Sequence, residues 1–234
     1  MCTVRSAIAL ALLLVLGCSP GQPAPNPASL LRESAQALAG LKSVSADVKF
    51  VSGKVELQGF TLDSASTKLR LPSDSDTTFK VKQGDFLVNV RVVIAGGKAF
   101  IQLPFSQPQE LTAEQAAEIP DLSRLFDREH GLPAILGQGR SPTLQGSEQV
   151  DGVACYKVAT AYTADQIGSL LSGMQAADVS TVFWIGQSDK LVRKATLTGA
   201  FDPSGGKATV EVHLHDFDKP VQISPPAVTP SPAA

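Results

Sequence analysis

Apolar residues recur at every second position through most of this chain, and that period constrains its fold more than any other feature. Val44, Ala46, Val48 and Phe50 alternate with Ser45, Asp47 and Lys49, and Val55 and Leu57 alternate with Lys54, Glu56 and Gln58. Leu69 and Leu71 alternate with Lys68 and Arg70, and Phe79 and Val81 with Lys80 and Lys82. Phe86, Val88, Val90, Val92 and Ile94 form one face of a longer strand, which Gly96-Gly97 turns into Ala99, Ile101 and Leu103. Side chains two apart on a strand share a face, so each segment has one apolar and one wet side, the pattern of an antiparallel meander. A second set follows: Thr143 to Val150, the hairpin turn Asp151-Gly152, Val153 to Ala161, Thr181 to Gly186, Leu191 to Gly199 and Lys207 to His215. Gln187 to Lys190 and Pro203 to Gly206 turn the last three into one another. The strands are consecutive, which excludes a βαβ unit and its dinucleotide crevice.

The period lengthens in three places. Leu30, Leu31, Ser34, Ala35, Leu38 and Leu41 fall on one side of a helix spanning about Ala28 to Leu41, with Gly40 near its end. Phe105 to Gly139 lacks alternation: Thr112 caps a helix from Ala113, Pro120 interrupts it, and Asp121 to Phe126 and Leu132 to Leu136 read as short helical pieces. Thr163 caps a further helix bearing Ile167, Leu170, Leu171 and Met174. The expected fold is α+β, a large curved antiparallel sheet of roughly eleven strands. A sheet of that size curls, and the helices are the only candidates to cover its concave face.

The N-terminus has a different character. Arg5, the short apolar run Ile8 to Leu16 and the sequence Val15-Leu16-Gly17-Cys18 read as a bacterial lipoprotein signal, too short to span a bilayer. Residues 1–17 would be removed and Cys18 acylated, leaving the chain extracytoplasmic and held to the cell membrane by lipid. Residues 18–27 are the acylated cysteine and a proline-rich tether, which at roughly 3.1 Å per residue reaches about 28 Å. Residues 28–224 are expected to form a single domain, followed by a proline-rich tail, 225–234. Cys155 is then the only thiol left in the domain, which excludes an internal disulfide. It sits in an alternating strand and reads as a buried small hydrophobe rather than a nucleophile.

Chemistry-bearing motifs are scarce. The chain has no glycine loop ending in Gly-Lys-Ser/Thr, no Gly-x-Ser-x-Gly and no His-Glu-x-x-His. His213 and His215 share a strand face near Asp216 and Asp218, but spacing places no third zinc ligand, and Thr209 and Glu211 continue the row as a polar face. Asp74 and Asp76 lack the glycine and distal glutamate of a calcium loop and read as a solvated turn. No catalytic residue, metal or cofactor is expected. A net charge of −2 with 6% aromatic residues gives no reason to expect nucleic-acid binding. Against this, 43% of residues are hydrophobic. A curled sheet under helices encloses either a filled core or a ligand cavity, and apolar patterning alone does not separate the two.

Five stretches resemble the mycobacterial LppX/LprA/LprF/LprG lipoprotein family. They are the helix Leu30 to Ser43 behind the lipobox and tether, Phe126-Asp127 with Gly131-Leu132-Pro133-Ala134-Ile135-Leu136, Val150-Asp151-Gly152-Val153 with Tyr156, Val182-Phe183-Trp184-Ile185, and Ser188 to Lys194. Arg128 departs from the proline more usual after Phe-Asp. The resemblance implies a half-barrel similar to the Lol lipoprotein carriers, with helices on its concave side and a cavity for acyl chains of a lipid or glycolipid, diacyl or triacyl. It implies no catalytic residues. On that basis Val48, Phe50, Leu57, Val81, Val90, Val92 and Ile101 are expected to line the sheet side, and Leu125, Ile135, Leu136, Leu170, Leu171 and Met174 the helical cover. The expected partners are the acylated lipid, the membrane through Cys18, and a membrane transporter. The competing reading is a filled-core envelope interaction module without lipid cargo.

Overall fold

The computed structural model describes residues 24–57, 60–119, 121–170, 178–201 and 206–227, without the side chains of 56, 57, 83 and 168–170. Cys18, Pro120, Leu171 and Met174, and the side chains of Leu57 and Leu170, lie outside the described residues. The chain opens with α1 (Pro27–Ala39), whose first turn is capped by Asn26, the side chain accepting from Ser29 N–H at 3.1 Å. Its buried residues are Leu30, Leu31, Ser34, Ala35 and Leu38, the helical face expected from spacing.

The strands then run β1 (Ser43–Ser52), β2 (Glu56–Leu57), β3 (Phe60–Arg70), β4 (Asp74–Gln83), β5 (Phe86–Ala95), β6 (Lys98–Gln102) and β7 (Gln109–Glu110). After a helical excursion come β8 (Arg140–Val150), β9 (Val153–Tyr162), β10 (Val179–Gly186), β11 (Val192–Ala200) and β12 (Lys207–His215). All twelve join one antiparallel sheet in the order β7-β6-β5-β4-β3-β1-β12-β11-β10-β9-β8, with β2 paired to β3 beside that path. The sheet curves without closing, a half-barrel. Each hairpin joins sequence neighbours, and the pairing of β1 with β12 unites the two meanders into one surface. Asp151-Gly152 turns β8 into β9 with φ of 50° and 78°, and Gly96-Gly97 turns β5 into β6 at 60° and 77°. Two consecutive positive φ values match the twist of flanking strands.

Four short helical segments accompany the sheet. They are α2 (Ala113–Ala117), a 3-10 helix at Leu122–Phe126, α3 (Leu132–Ile135) with a 3-10 turn at Leu136–Gln138, and α4 (Ala164–Leu170). Thr112 and Gln115 form a reciprocal capping box on α2. Thr163 and Gln166 exchange the same pair of bonds at the start of α4. No helix among the described residues is long and apolar enough to cross a membrane.

The segment at Asp74 and Asp76 is a strand, not a solvated turn. Both belong to β4, where Asp74 accepts from Arg70 Nε at 2.8 Å and Asp76 takes both Arg91 nitrogens at 2.8 Å. These fork-like pairs match the carboxylates across the ladder and let strand geometry begin directly after Pro72-Ser73.

Candidate functional site

Register assembles the concave face row by row. Val48 stands between Val212 and Ala65, and the row continues through Phe79 to Val90. One step towards the β4–β5 turn, Phe50 is opposite Val210, and Leu62 leads to Val81 and Val88. One step the other way, Leu214, Ala46, Thr67, Thr77, Val92 and Ile101 form a third row. No side chain in these rows is charged. The two threonines satisfy each other, Oγ1 to Oγ1 at 2.7 Å, so the polar pair does not interrupt the dry surface.

The two halves of this face are covered differently. Over β8–β12 and β1, α1 packs its leucines against Val44, Ala46, Val158, Phe183, Ile185, Val192 and Leu214. Leu136 joins that cluster, and its carbonyl accepts from the Tyr162 hydroxyl at 2.9 Å. Burial pushes the Tyr162 phenol far above its usual range. Over β3–β6 the cluster is Ala65, Phe79, Val81 and Val92, flanked by half-buried Leu62, Val88, Val90, Ile94 and Ile101. Its cover is thin: Ile119 and Leu122 touch it, while α2 buries none of its residues.

Of the residues expected to line the site, Val48, Phe50, Val81, Val90, Val92 and Ile101 share the concave face. Val48 touches both clusters. Leu125 and Leu136 pack with the α1 cluster, and Ile135 is buried in α3. Those three therefore cap the filled half. Ile119 and Leu122, which do touch the β3–β6 face, were not among the expected residues, because Phe105 to Gly139 has no periodicity to reveal them. A pocket of about 240 Å³ opens elsewhere, lined by Ser43, Ser45, Lys68, Asp216, Lys219 and Gln222, where the C-terminal segment passes β1. Val44, Pro220 and Val221 complete its lining, and the charged Lys68, Asp216 and Lys219 set it apart from the uncharged rows of the concave face.

Cys155, His213 and His215 lie off this face. Cys155 packs with Val150 and Trp184 on the convex side, and burial raises its thiol pKa. Trp184 donates to Glu148 at 3.0 Å and lies under the ammonium groups of Lys157 and Lys194. His215 is held by Asp47 and Asp216 at 3.1 and 3.0 Å, and His213 faces Asp151 at 3.4 Å. Both histidines alternate with Val212 and Leu214, which places them on the convex side. Among the described residues no group of three or more His, Cys, Asp or Glu is arranged to hold a metal ion.

Residues 26–223 match the model of the LppX_LprAFG lipoprotein family. The chain is 28% identical over 227 residues to the lipoarabinomannan carrier protein LprG of Mycolicibacterium smegmatis, covering 94% of this chain and 93% of that one. The crystal structure of LprF from Mycobacterium bovis shares the fold with a TM-score of 0.70 at 21% identity, covering 89% of this chain and all of that one. Mycobacterium tuberculosis LppX superposes with a TM-score of 0.60 at 22% identity, covering 84% and 97%. A match across nearly the whole domain, on the same half-barrel, makes this chain a member of the LppX_LprAFG lipoprotein family.

Proposed function

We propose that this chain is an envelope lipoprotein, anchored through acylated Cys18, that carries acyl chains of a lipid or glycolipid. The chains lie against the concave face of β3–β6, beneath the segment containing Ile119 and Leu122. One observation carries the reading: α1 and its neighbours build the large buried cluster over β8–β12 and β1, whereas over β3–β6 the buried cluster is only Ala65, Phe79, Val81 and Val92, with half-buried Val88, Val90, Ile94 and Ile101 around it and no long helix above. Each methylene removed from water contributes about 0.8 kcal/mol, so a two-chain lipid is held firmly there and does not cross water unaided. Bilayer and protein are similar apolar solvents, so exchange is near balance and requires no nucleotide. The carrier name of the LprG relative supports the same reading. The relatives are named for carriage, and the protein is read here as a carrier rather than an enzyme.

A phospholipid bearing a photoactivatable diazirine on its acyl chain tests the site. Cross-links are expected on β4–β6 and on Ile119 or Leu122. Labelling confined to the convex face, or absent, overturns the assignment. The filled packing under α1 favours the second reading, a surface-acting interaction module, and absence of labelling would support it.

A further inference from the structure

One end of the half-barrel gathers exposed apolar side chains that the core does not use. Register places β1 and β4 finishing where β3 and β5 begin: Lys49 faces Ser64, Thr61 faces Lys82 and Gln83 faces Phe86, while β6 runs the same way and stops at Gln102, opposite Arg91 in the middle of β5. Val51, Phe60, Phe86 and Leu87 are exposed at this end, Phe86 by 76%. Leu103 and Phe105 follow β6 towards the same end, and Phe105 is fully exposed. The turn that displays Phe105 is tied down. Ser106 N–H and Oγ both donate to the Leu103 carbonyl, at 3.1 and 2.9 Å, and Gln102 Nε2 donates to the Ser106 carbonyl at 3.2 Å. Phe105 has φ of 60°, a conformation uncommon for a bulky side chain, and its ring is open to solvent.

Charge marks the same end. Lys49, Lys54, Lys80, Lys82 and Lys207 are exposed there, and none forms an ion pair among the described residues. Asp63 and Asp85 lie in the same strands and turns, and Glu211, the register partner of Lys49, is held by Lys194 at 2.6 Å. At the opposite end Arg70, Lys98, Lys190, Arg193 and Lys219 each hold a carboxylate. Apolar tips interleaved with lysines that hold no carboxylate among the described residues fit a layered solvent, an apolar interior under anionic headgroups.

We propose that this end is a membrane-docking rim, seated on an anionic phospholipid bilayer with its aromatic and aliphatic tips in the interfacial layer. The inference rests on the carrier reading for its purpose. Phe60 and Phe86 continue the concave-face rows through Leu62, Val81 and Val88, so an apolar track runs from the acyl site to the bilayer without crossing water.

The test uses the full lipidated chain, recovered by flotation on vesicles of phosphatidylcholine with about one-third phosphatidylglycerol and brominated acyl chains. Trp184, the only tryptophan, sits on the convex side near the far end of β10 and serves as an internal control. Phe105→Trp is expected to add a blue-shifted emission that the bromines quench, weaker on pure phosphatidylcholine, while Trp184 stays unquenched. A Phe105→Trp emission that is red and unquenched on anionic vesicles overturns the docking rim. Extraction and mass spectrometry of the same sample keep the two ideas apart. Cargo without quenching refutes the rim and leaves the carrier reading standing; quenching without cargo supports the rim and refutes the carrier reading.

Discussion

The unequal cover of the two half-faces sets a stability contrast between two valine and leucine truncations. Leu31, on the buried face of α1, is 1% exposed. Leu31→Ala removes three carbons, about 2.4 kcal/mol of transfer free energy, and leaves a void, for a total of about 3 to 4 kcal/mol. Val90 is half-buried on the β3–β6 face. Val90→Ala removes two carbons that are half in water already, so the loss is about 0.8 kcal/mol with little cavity term. For a domain of this size each kcal/mol moves Tm by about 2 to 4 °C. Lipid-free Leu31→Ala should therefore melt roughly 10 °C below wild type and Val90→Ala only about 2 °C below. Cargo binds the folded state alone and raises Tm by mass action, so adding lipid should widen the Val90→Ala deficit and leave that of Leu31→Ala unchanged. Thermal unfolding by circular dichroism, with delipidated and loaded protein, reads all of these values. A lipid-free Val90→Ala penalty as large as that of Leu31→Ala would show both halves equally packed and refute the acyl site on β3–β6.

Tyr162→Phe should cost about 1 to 2 kcal/mol in urea unfolding, because the Leu136 carbonyl loses its buried donor. The raised Tyr162 pKa has a further consequence: above the ordinary value of 10.0 the unfolded state releases a proton that the folded state keeps, so wild-type stability falls as pH rises past 10. Tyr162→Phe should lose that alkaline slope, and an unchanged slope would assign it elsewhere. Cys155 is fully buried with a raised pKa, so a thiol reagent should modify it only at the rate of unfolding; prompt labelling of native protein would contradict its placement. A Cβ at Gly131 would meet the backbone of Asp127 at 2.5 Å and of Leu125 at 2.7 Å. Gly131→Ala should raise amide exchange across residues 121–138 while the β1–β12 ladder stays protected, and protection throughout would show that the backbone there can yield.

The concave face was legible because each of its rows repeats a period that only strands produce. Hairpins such as Gly96-Gly97 then fix the register of neighbouring strands, so the sequence alone places Val92 and Ile101 on one surface. The convex side was harder to read. Val92-Val93-Ile94-Ala95 breaks alternation because Val221 and Ile223 of the C-terminal segment cover Val93, Ala95 and Phe100 from outside. A strand covered on both sides reads as a continuous apolar run, and nothing in 219–227 announces the strap. Asp74 and Asp76 read as a turn once the calcium loop is set aside, because the arginine that pairs Asp76 in the strand, Arg91, lies fifteen residues away on β5, beyond local pattern. Leu125 and Leu136 were correctly apolar, yet which half of the sheet they cover depends on the path of a segment without periodicity. The exposed Phe86 and Phe105 were hidden for the same reason, since exposure depends on what covers a residue and not on its type.

Native mass spectrometry of the chain produced in a membrane-containing host, and released gently from detergent, tests the central claim most directly. The account predicts a reproducible mass excess that organic extraction resolves into a diacyl or triacyl lipid, and its loss in Val90→Arg protein whose circular dichroism remains native. A clean cargo-free mass that persists after incubation with mixed lipid vesicles would contradict it and identify the domain as a filled-core interaction module.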